Sequence, residues 1–190
     1  MNILLTLIVV VLLGGATYVG VEKVKGPEKS QVAEADYKGT LLVGVDDKDQ
    51  KLILAGQNKV SFPLYAPGKV PKGFKLRPTS VSAGMQGQTA MFQTIFSKGS
   101  DNLIIFEYSI DGYLLLSRET LSTLTADPGW QTVGDKKIYI PNSSTKTSGK
   151  FQYLQGATAV TDTTVIRLEY FGEEKLSEQD LGIMAASFIK

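Results

Sequence analysis

Positions 3–21 hold no Asp, Glu, Lys or Arg and are almost all apolar. At 1.5 Å per residue that run makes a helix about 28 Å long, close to the ~30 Å hydrocarbon core of a bilayer. The pattern predicts an N-terminal transmembrane helix within residues 1–21. A cleaved signal peptide is the alternative, with Gly14, Gly15 and Ala16 as its small-residue site. Against cleavage, no basic residue precedes the run, and apolar positions continue past Ala16. Residues 22–36 are polar, contain Gly26 followed by Pro27, and show no period, which predicts a spacer.

From residue 37 the period changes to that of strands. Residues 40–45 and 51–55 flank the polar stretch 46–50, and together they predict a first hairpin. Pro63, Pro67, Pro71 and Pro78 exclude a helix or a central strand. An extended segment joining the edge of the main sheet near Phe74 is expected there. Lys69, Lys72, Lys75 and Arg77 would form a solvated basic edge that blocks unwanted pairing. Residues 89–96 and 103–109 predict a hairpin around 98–102, with Ile104, Phe106 and Tyr108 on one face and Ile105, Glu107 and Ser109 on the other. Residues 113–117 suit a strand or a short helix, 127–130 a turn, 137–140 a short strand and 142–149 a polar loop. Residues 151–160 and 164–171 bracket Thr161, Asp162 and Thr163 as a further hairpin. In the later strand Ile166, Leu168 and Tyr170 alternate with Arg167 and Glu169, giving one buried and one wet face.

The chain closes on a helix. Ser177 is placed as N-cap with Asp180 in the capping-box position, and Leu176 precedes the cap as a staple onto Leu181. Leu181, Met184, Ala185 and Phe188 then form one apolar stripe. The expected fold class is α+β: a twisted, mainly antiparallel sheet with the C-terminal helix packed on one face. The globular part is placed at 37–190.

Composition narrows the chemistry. The 190 residues are 43% hydrophobic and 21% charged, with a net charge of +1, so nothing draws the chain toward nucleic acid. The chain has no Cys, which excludes disulfides, thiolate metal sites, a thiol nucleophile and a lipobox. It also has no His, and with it go Ser-His-Asp, Cys-His and HExxH chemistry.

Each remaining candidate has an ordinary explanation. An EF-hand loop starting at Asp46 would need Gly and Glu where Lys51 and Gln57 stand, so a solvated turn is expected instead. Ser143 and Lys146 match S-x-x-K, but they lie in a short Ser/Thr-rich loop rather than at the start of a buried helix. Glu107, Arg167 and Glu169 are expected to pair across strands on the wet face. Trp130 follows a turn and is assigned to packing rather than to a partner's hot spot. Asn142 heads a glycosylation sequon, which means nothing without a host that uses it. No catalytic, cofactor-binding or metal-binding residue is assigned, and no cofactor is expected.

The stretch Val70, Pro71, Lys72, Gly73, Phe74, together with the close at 164–172, 176–181 and 185–189, resembles a bacterial family of unknown function. That family occurs in extracytoplasmic domains of membrane-anchored proteins, including anti-sigma-factor-like and lipoprotein-like chains. The likeness covers residues 61–190. Where the family often has Trp in its penultimate strand, this chain has Tyr170 or Phe171. The resemblance implies a domain outside the cytoplasm. Lys23, Lys25 and Lys29 follow the apolar run with none before it, and alone they would place the domain inside. The resemblance outweighs the lysines here, and the expected placement is outside. The chain is then expected to be a single-pass, membrane-tethered, non-enzymatic interaction or sensor module whose partner is another envelope or membrane protein. The alternatives are an envelope hydrolase using carboxylate, Ser or Lys chemistry, and a carrier of apolar ligands.

Overall fold

Two β-hairpins joined side by side make the centre of the molecule. The computed structural model describes residues 42–118, 120–124, 129–133, 136–141, 145–146 and 153–190, all within the compact unit Gly39–Lys190. The predicted membrane segment and spacer lie outside the described residues. In chain order the elements begin with β1 (Leu42–Gly44), α1 (Asp47–Leu54), β2 (Lys69–Pro71), β3 (Lys75–Leu76), β4 (Ser82–Gln86), β5 (Thr89–Lys98) and β6 (Asp101–Ser109). They continue with α2 (Ile110–Ser117), α3 (Leu121–Leu124), β7 (Trp130–Val133), β8 (Lys136–Tyr139), β9 (Thr145–Lys146), β10 (Tyr153–Val160), β11 (Thr164–Gly172) and α4 (Glu178–Ala186).

The main sheet runs β3-β5-β6-β11-β10-β8-β7, with β4 also on β5 and β9 also on β10. Every pairing among the described strands is antiparallel. The class is therefore α+β with an antiparallel sheet and a C-terminal helix, as the patterning predicts.

Both central hairpins form where expected. β5 and β6 run further into their turn than expected, to the pair Lys98 and Asp101, because Gly99 takes φ +58° and closes a two-residue loop. β10 and β11 turn through Thr161, Asp162 and Thr163. There the Thr161 hydroxyl accepts from the N–H groups of Thr163 (3.3 Å) and Thr164 (3.0 Å). Residues 113–117 resolve as helix, the last part of α2, whose N-cap Ser109 accepts from Gly112 N–H.

The predicted first hairpin does not form. Residues 47–54 are helix α1, and β1 pairs instead with β2. A short apolar run such as 52–54 suits helix or strand equally. Asp46 decides it: its carboxylate accepts from Lys48 N–H at 2.8 Å, and Asp47 and Asp49 add negative charge in the first turn. The acidic stretch is thus a helix start rather than a free turn. The proline-rich segment behaves as expected, since β3 enters the main sheet at its edge and Lys69, Lys72, Lys75 and Arg77 are exposed.

One face of the sheet, here the inner face, carries Phe92, Phe96, Leu103, Ile105, Ile166, Leu168, Tyr170, Ala157, Ala159 and Ile138, all buried. Helix α4 lies over β10 and β8 on this face. Its start is as written in the sequence: Ser177 Oγ accepts from Asp180 N–H (3.0 Å) and donates to Asp180 Oδ2 (2.9 Å). Leu176, Leu181, Met184, Ala185 and Phe188 are all buried. Gln155 anchors the approach to the helix, donating to Leu176 O (2.8 Å) and accepting from Leu176 N–H (2.7 Å).

The strap 60–67 covers the rest of the inner face. Gln57 donates to Phe62 O (2.9 Å) and accepts from Leu64 N–H (2.8 Å), and Thr164 donates to Pro63 O (2.8 Å). Ala66 and Ile189 exchange backbone bonds of 2.8 and 2.9 Å, tying the strap to the end of the chain. Gly56 must stay small because a Cβ there would run into the Phe92 ring.

The opposite, outer face has a cover of its own. Helix α2 packs over β5, β6 and β11, and its Tyr113 ring lies 5.7 Å from that of Tyr108. Tyr108 and Val165 are buried beneath it.

Candidate functional site

A recess of about 300 Å³ opens where three connections meet. The first is the turn between β2 and β3, closed by Phe74 N–H to Pro71 O at 3.1 Å, with Gly73 at φ +86°. That φ is what a glycine supplies at the third position of such a turn. The second is the β5–β6 turn, which brings Lys98 and Asp101 to the rim. The third is the crossover from β11 to α4, carrying Glu174 and Leu176.

The floor is apolar. The Phe74 and Tyr170 rings are tilted at 43° with centroids 6.0 Å apart, and Leu176 lies beside them. The rim is charged with both signs: Lys72 and Lys98, Asp101 and Glu174. Backbone bonds hold the crossover in place. Tyr170 donates to Glu174 O (2.9 Å), and Asp101 Oδ1 accepts from Glu173 N–H (3.2 Å). Burial, then the nearby charges of Asp101, Glu174 and Glu173, push the Tyr170 phenol up to about 12. The phenol therefore stays neutral and keeps donating its hydrogen bond at any physiological pH. An apolar floor under a two-sign rim suits an apolar side chain or small molecule that carries charge at one end.

Glu107 corrects the sequence reading most sharply. It was expected on the wet face beside Arg167 and Glu169, but β6 turns it to the inner face, where it is 1% exposed. Phe92 and Ile166 are its register neighbours. Its Oε2 accepts Tyr65 N–H at 2.8 Å, so this carboxyl pins the strap. Burial raises its pKa well above the usual carboxylate value, and the Tyr65 bond offsets only part of that. Alternation along β6 does not choose between the faces, because Leu103 and Ile105 beside Glu107 are matched by Ile104, Phe106 and Tyr108 on the other side.

Arg167 and Glu169 do pair on the outer face, at 2.9 Å, but along one strand rather than across two. Burial raises the Glu169 pKa and the Arg167 charge opposes the rise. Trp130 stacks on Tyr139, its cross-strand neighbour, with centroids 5.3 Å apart. Ser143 and Asn142 lie outside the described residues, while Lys146 sits in β9. Among the described residues no group of three or more acidic side chains gathers as a metal site. No helix among them is long and apolar enough to cross a membrane. No family model, no curated protein and no solved structure matches the chain.

Proposed function

We propose that the chain is a membrane-tethered interaction or sensor module, not a catalyst, with its globular unit held outside the cytoplasm. Residues 3–21 serve as its anchor and 22–36 as its spacer. The partner is another envelope or membrane protein, which the tether concentrates near the globular unit. The observation that carries the interaction reading is the recess over Phe74, Tyr170 and Leu176. Two of its polar groups, the Tyr170 hydroxyl and the Asp101 carboxylate, hold backbone in place, and its mixed rim fits an apolar side chain flanked by charge. Glu107, the carboxyl most changed by its surroundings, is occupied in holding the strap.

The absence of cysteine makes the test direct. Lys72→Cys places one thiol on the rim of the recess. Intact cells are treated with a membrane-impermeant, thiol-reactive photo-crosslinker and irradiated. The expected result is labelling without lysis and a crosslink to a membrane protein. Labelling only after lysis would overturn the outside placement. Labelling with no crosslinked protein would overturn the recess as a partner site.

A second reading, an envelope hydrolase, draws on Asp101 and Glu174 sharing this recess. Hydrolysis of a nitrophenyl ester or glycoside by the chain, lost in Glu174→Gln, would favour it.

A further inference from the structure

The flank of β5 that carries the edge of the main sheet is finished in two different ways. At one end lies β3, with Lys75 exposed and Arg77 and Pro78 directly after it. Charge and proline of this kind are how sheets blunt an open edge. At the other end lies β4, Ser82–Gln86, which contains no charge and no proline and pairs with β5 in unbroken register from Ser82↔Gln93 to Gln86↔Thr89. Ser82, Ala83, Gly84 and Met85 are exposed, Met85 at 61%.

The register shows which backbone groups are open. β4 and β5 are joined by the two residues Gly87, at φ +60°, and Gln88, so Gln86 and Thr89 close the hairpin as a hydrogen-bonded pair. Pair type alternates from there in an antiparallel ladder. Gln86, Gly84 and Ser82 therefore direct their N–H and C=O groups to β5. Ala83 and Met85 direct theirs outward, and among the described residues no hydrogen bond meets them.

We propose that β4 pairs antiparallel with β4 of a second copy of this chain, about a two-fold axis at Gly84. In that register Ala83 of each copy faces Met85 of the other as a hydrogen-bonded pair, which satisfies all four outward groups of each strand. Gly84 faces Gly84 in the non-hydrogen-bonded position, where Cα atoms approach to about 4.5 Å and side chains crowd most. Glycine puts nothing there. A strand paired with its own copy sets each residue against its mirror position: Ser82 against Gln86, and small Ala83 against long Met85. With no charge in the segment, no like charges meet, as they would if β3 were the paired strand. The interface is isologous and closes at two copies. It joins the two main sheets into one, and it does not depend on the recess or on the side of the membrane.

The test uses the full chain in detergent and again in membranes. Gly84→Cys sets two thiols across the axis, since Cα atoms about 4.5 Å apart fall within the range a disulfide spans. The nearest neighbour of a Cβ at Gly84 is the Met91 methyl at 3.5 Å, so the substitution fits the folded subunit. Mild oxidation should give a disulfide-linked dimer from Gly84→Cys. The control Asp162→Cys, in the exposed β10–β11 turn, should stay monomeric. Adding Ala83→Pro removes one outward donor without touching the β5 ladder, and should reduce the crosslinked dimer at least tenfold. The cysteine-free Ala83→Pro chain should sediment as a monomer at concentrations where the natural chain is a dimer, with an unchanged far-ultraviolet circular dichroism spectrum. A monomeric Gly84→Cys, equal crosslinking at Asp162→Cys, or a Gly84→Cys adduct to a different protein would each overturn the proposal.

Discussion

Glu107 and Glu169 stand on neighbouring strands of one sheet and meet opposite surroundings. Glu107 lies on the inner face between Phe92 and Ile166, with a single backbone N–H as partner. Glu169 lies on the outer face, still 12% exposed, with the Arg167 guanidinium 2.9 Å away. Burial raises both pKa values, but only Glu169 has a cation to oppose the rise. The inner face tolerates a carboxyl only as a structural pin that is most at ease when neutral. The outer face keeps its charge and some water. The two faces also differ in their covers. A strap and α4 close the inner face, tied by Gln57, Gln155, Thr164 and Glu107, whereas α2 covers part of the outer face through Tyr113 and Tyr108.

This contrast can be broken in three ways, the largest first. Phe188→Ala empties a buried ring position in the core just past the end of α4, and should cost roughly 3–5 kcal/mol of unfolding free energy by denaturant titration. A loss below about 1 kcal/mol would mean that the inner face is not the main core.

The second concerns pH. Because the folded Glu107 carboxyl binds its proton more tightly than the unfolded one, its contribution to stability is complete below the usual 4.5 and is lost as pH rises through the folded pKa. Glu107→Gln still offers an oxygen to Tyr65 N–H but cannot ionise. Its melting temperature should fall less between pH 5 and pH 8 than that of the natural chain. Some slope should remain from Glu169, whose raised pKa acts in the same direction. Identical slopes in the two proteins would show that Glu107 is not held neutral by its surroundings.

The smallest effect belongs to the outer face. The Tyr108 hydroxyl donates to Gln86 Oε1 at 2.6 Å, within reach of solvent at the Gln86 end. Tyr108→Phe should cost about 0.5–1.5 kcal/mol, with water taking over at Gln86. A loss as large as that of Phe188→Ala would put the two faces on an equal footing.

Much of this arrangement was legible in the chain, for local reasons. The two central hairpins follow from period-two alternation and from Gly99 and Thr161 at their turns. Helix α4 follows from Ser177, Asp180 and the stripe Leu181, Met184 and Ala185, whereas Phe188, expected on the same stripe, lies past the C-cap Ser187 and is buried from there. The misread first hairpin also had a local cause. Asp46 suits a turn, but Asp at an N-cap followed by Asp47 and Asp49 is an equally good helix start. The recess was not legible, because its lining comes from residues 71–74, 98–101 and 170–176, which no period or motif connects.

By itself the sequence determined the two central hairpins and the C-terminal helix, the apolar side of β11, and the exclusion of His and Cys chemistry. Those properties depend on neighbours within a few residues. Only the tertiary structure decided that β6 lies against β11 and so joins the two hairpins, that β1 takes β2 as its partner, and that the charge of Glu107 faces inward to hold Tyr65. Those outcomes depend on which distant surfaces can be buried together. An alternating pattern says that a face is apolar without saying what will cover it.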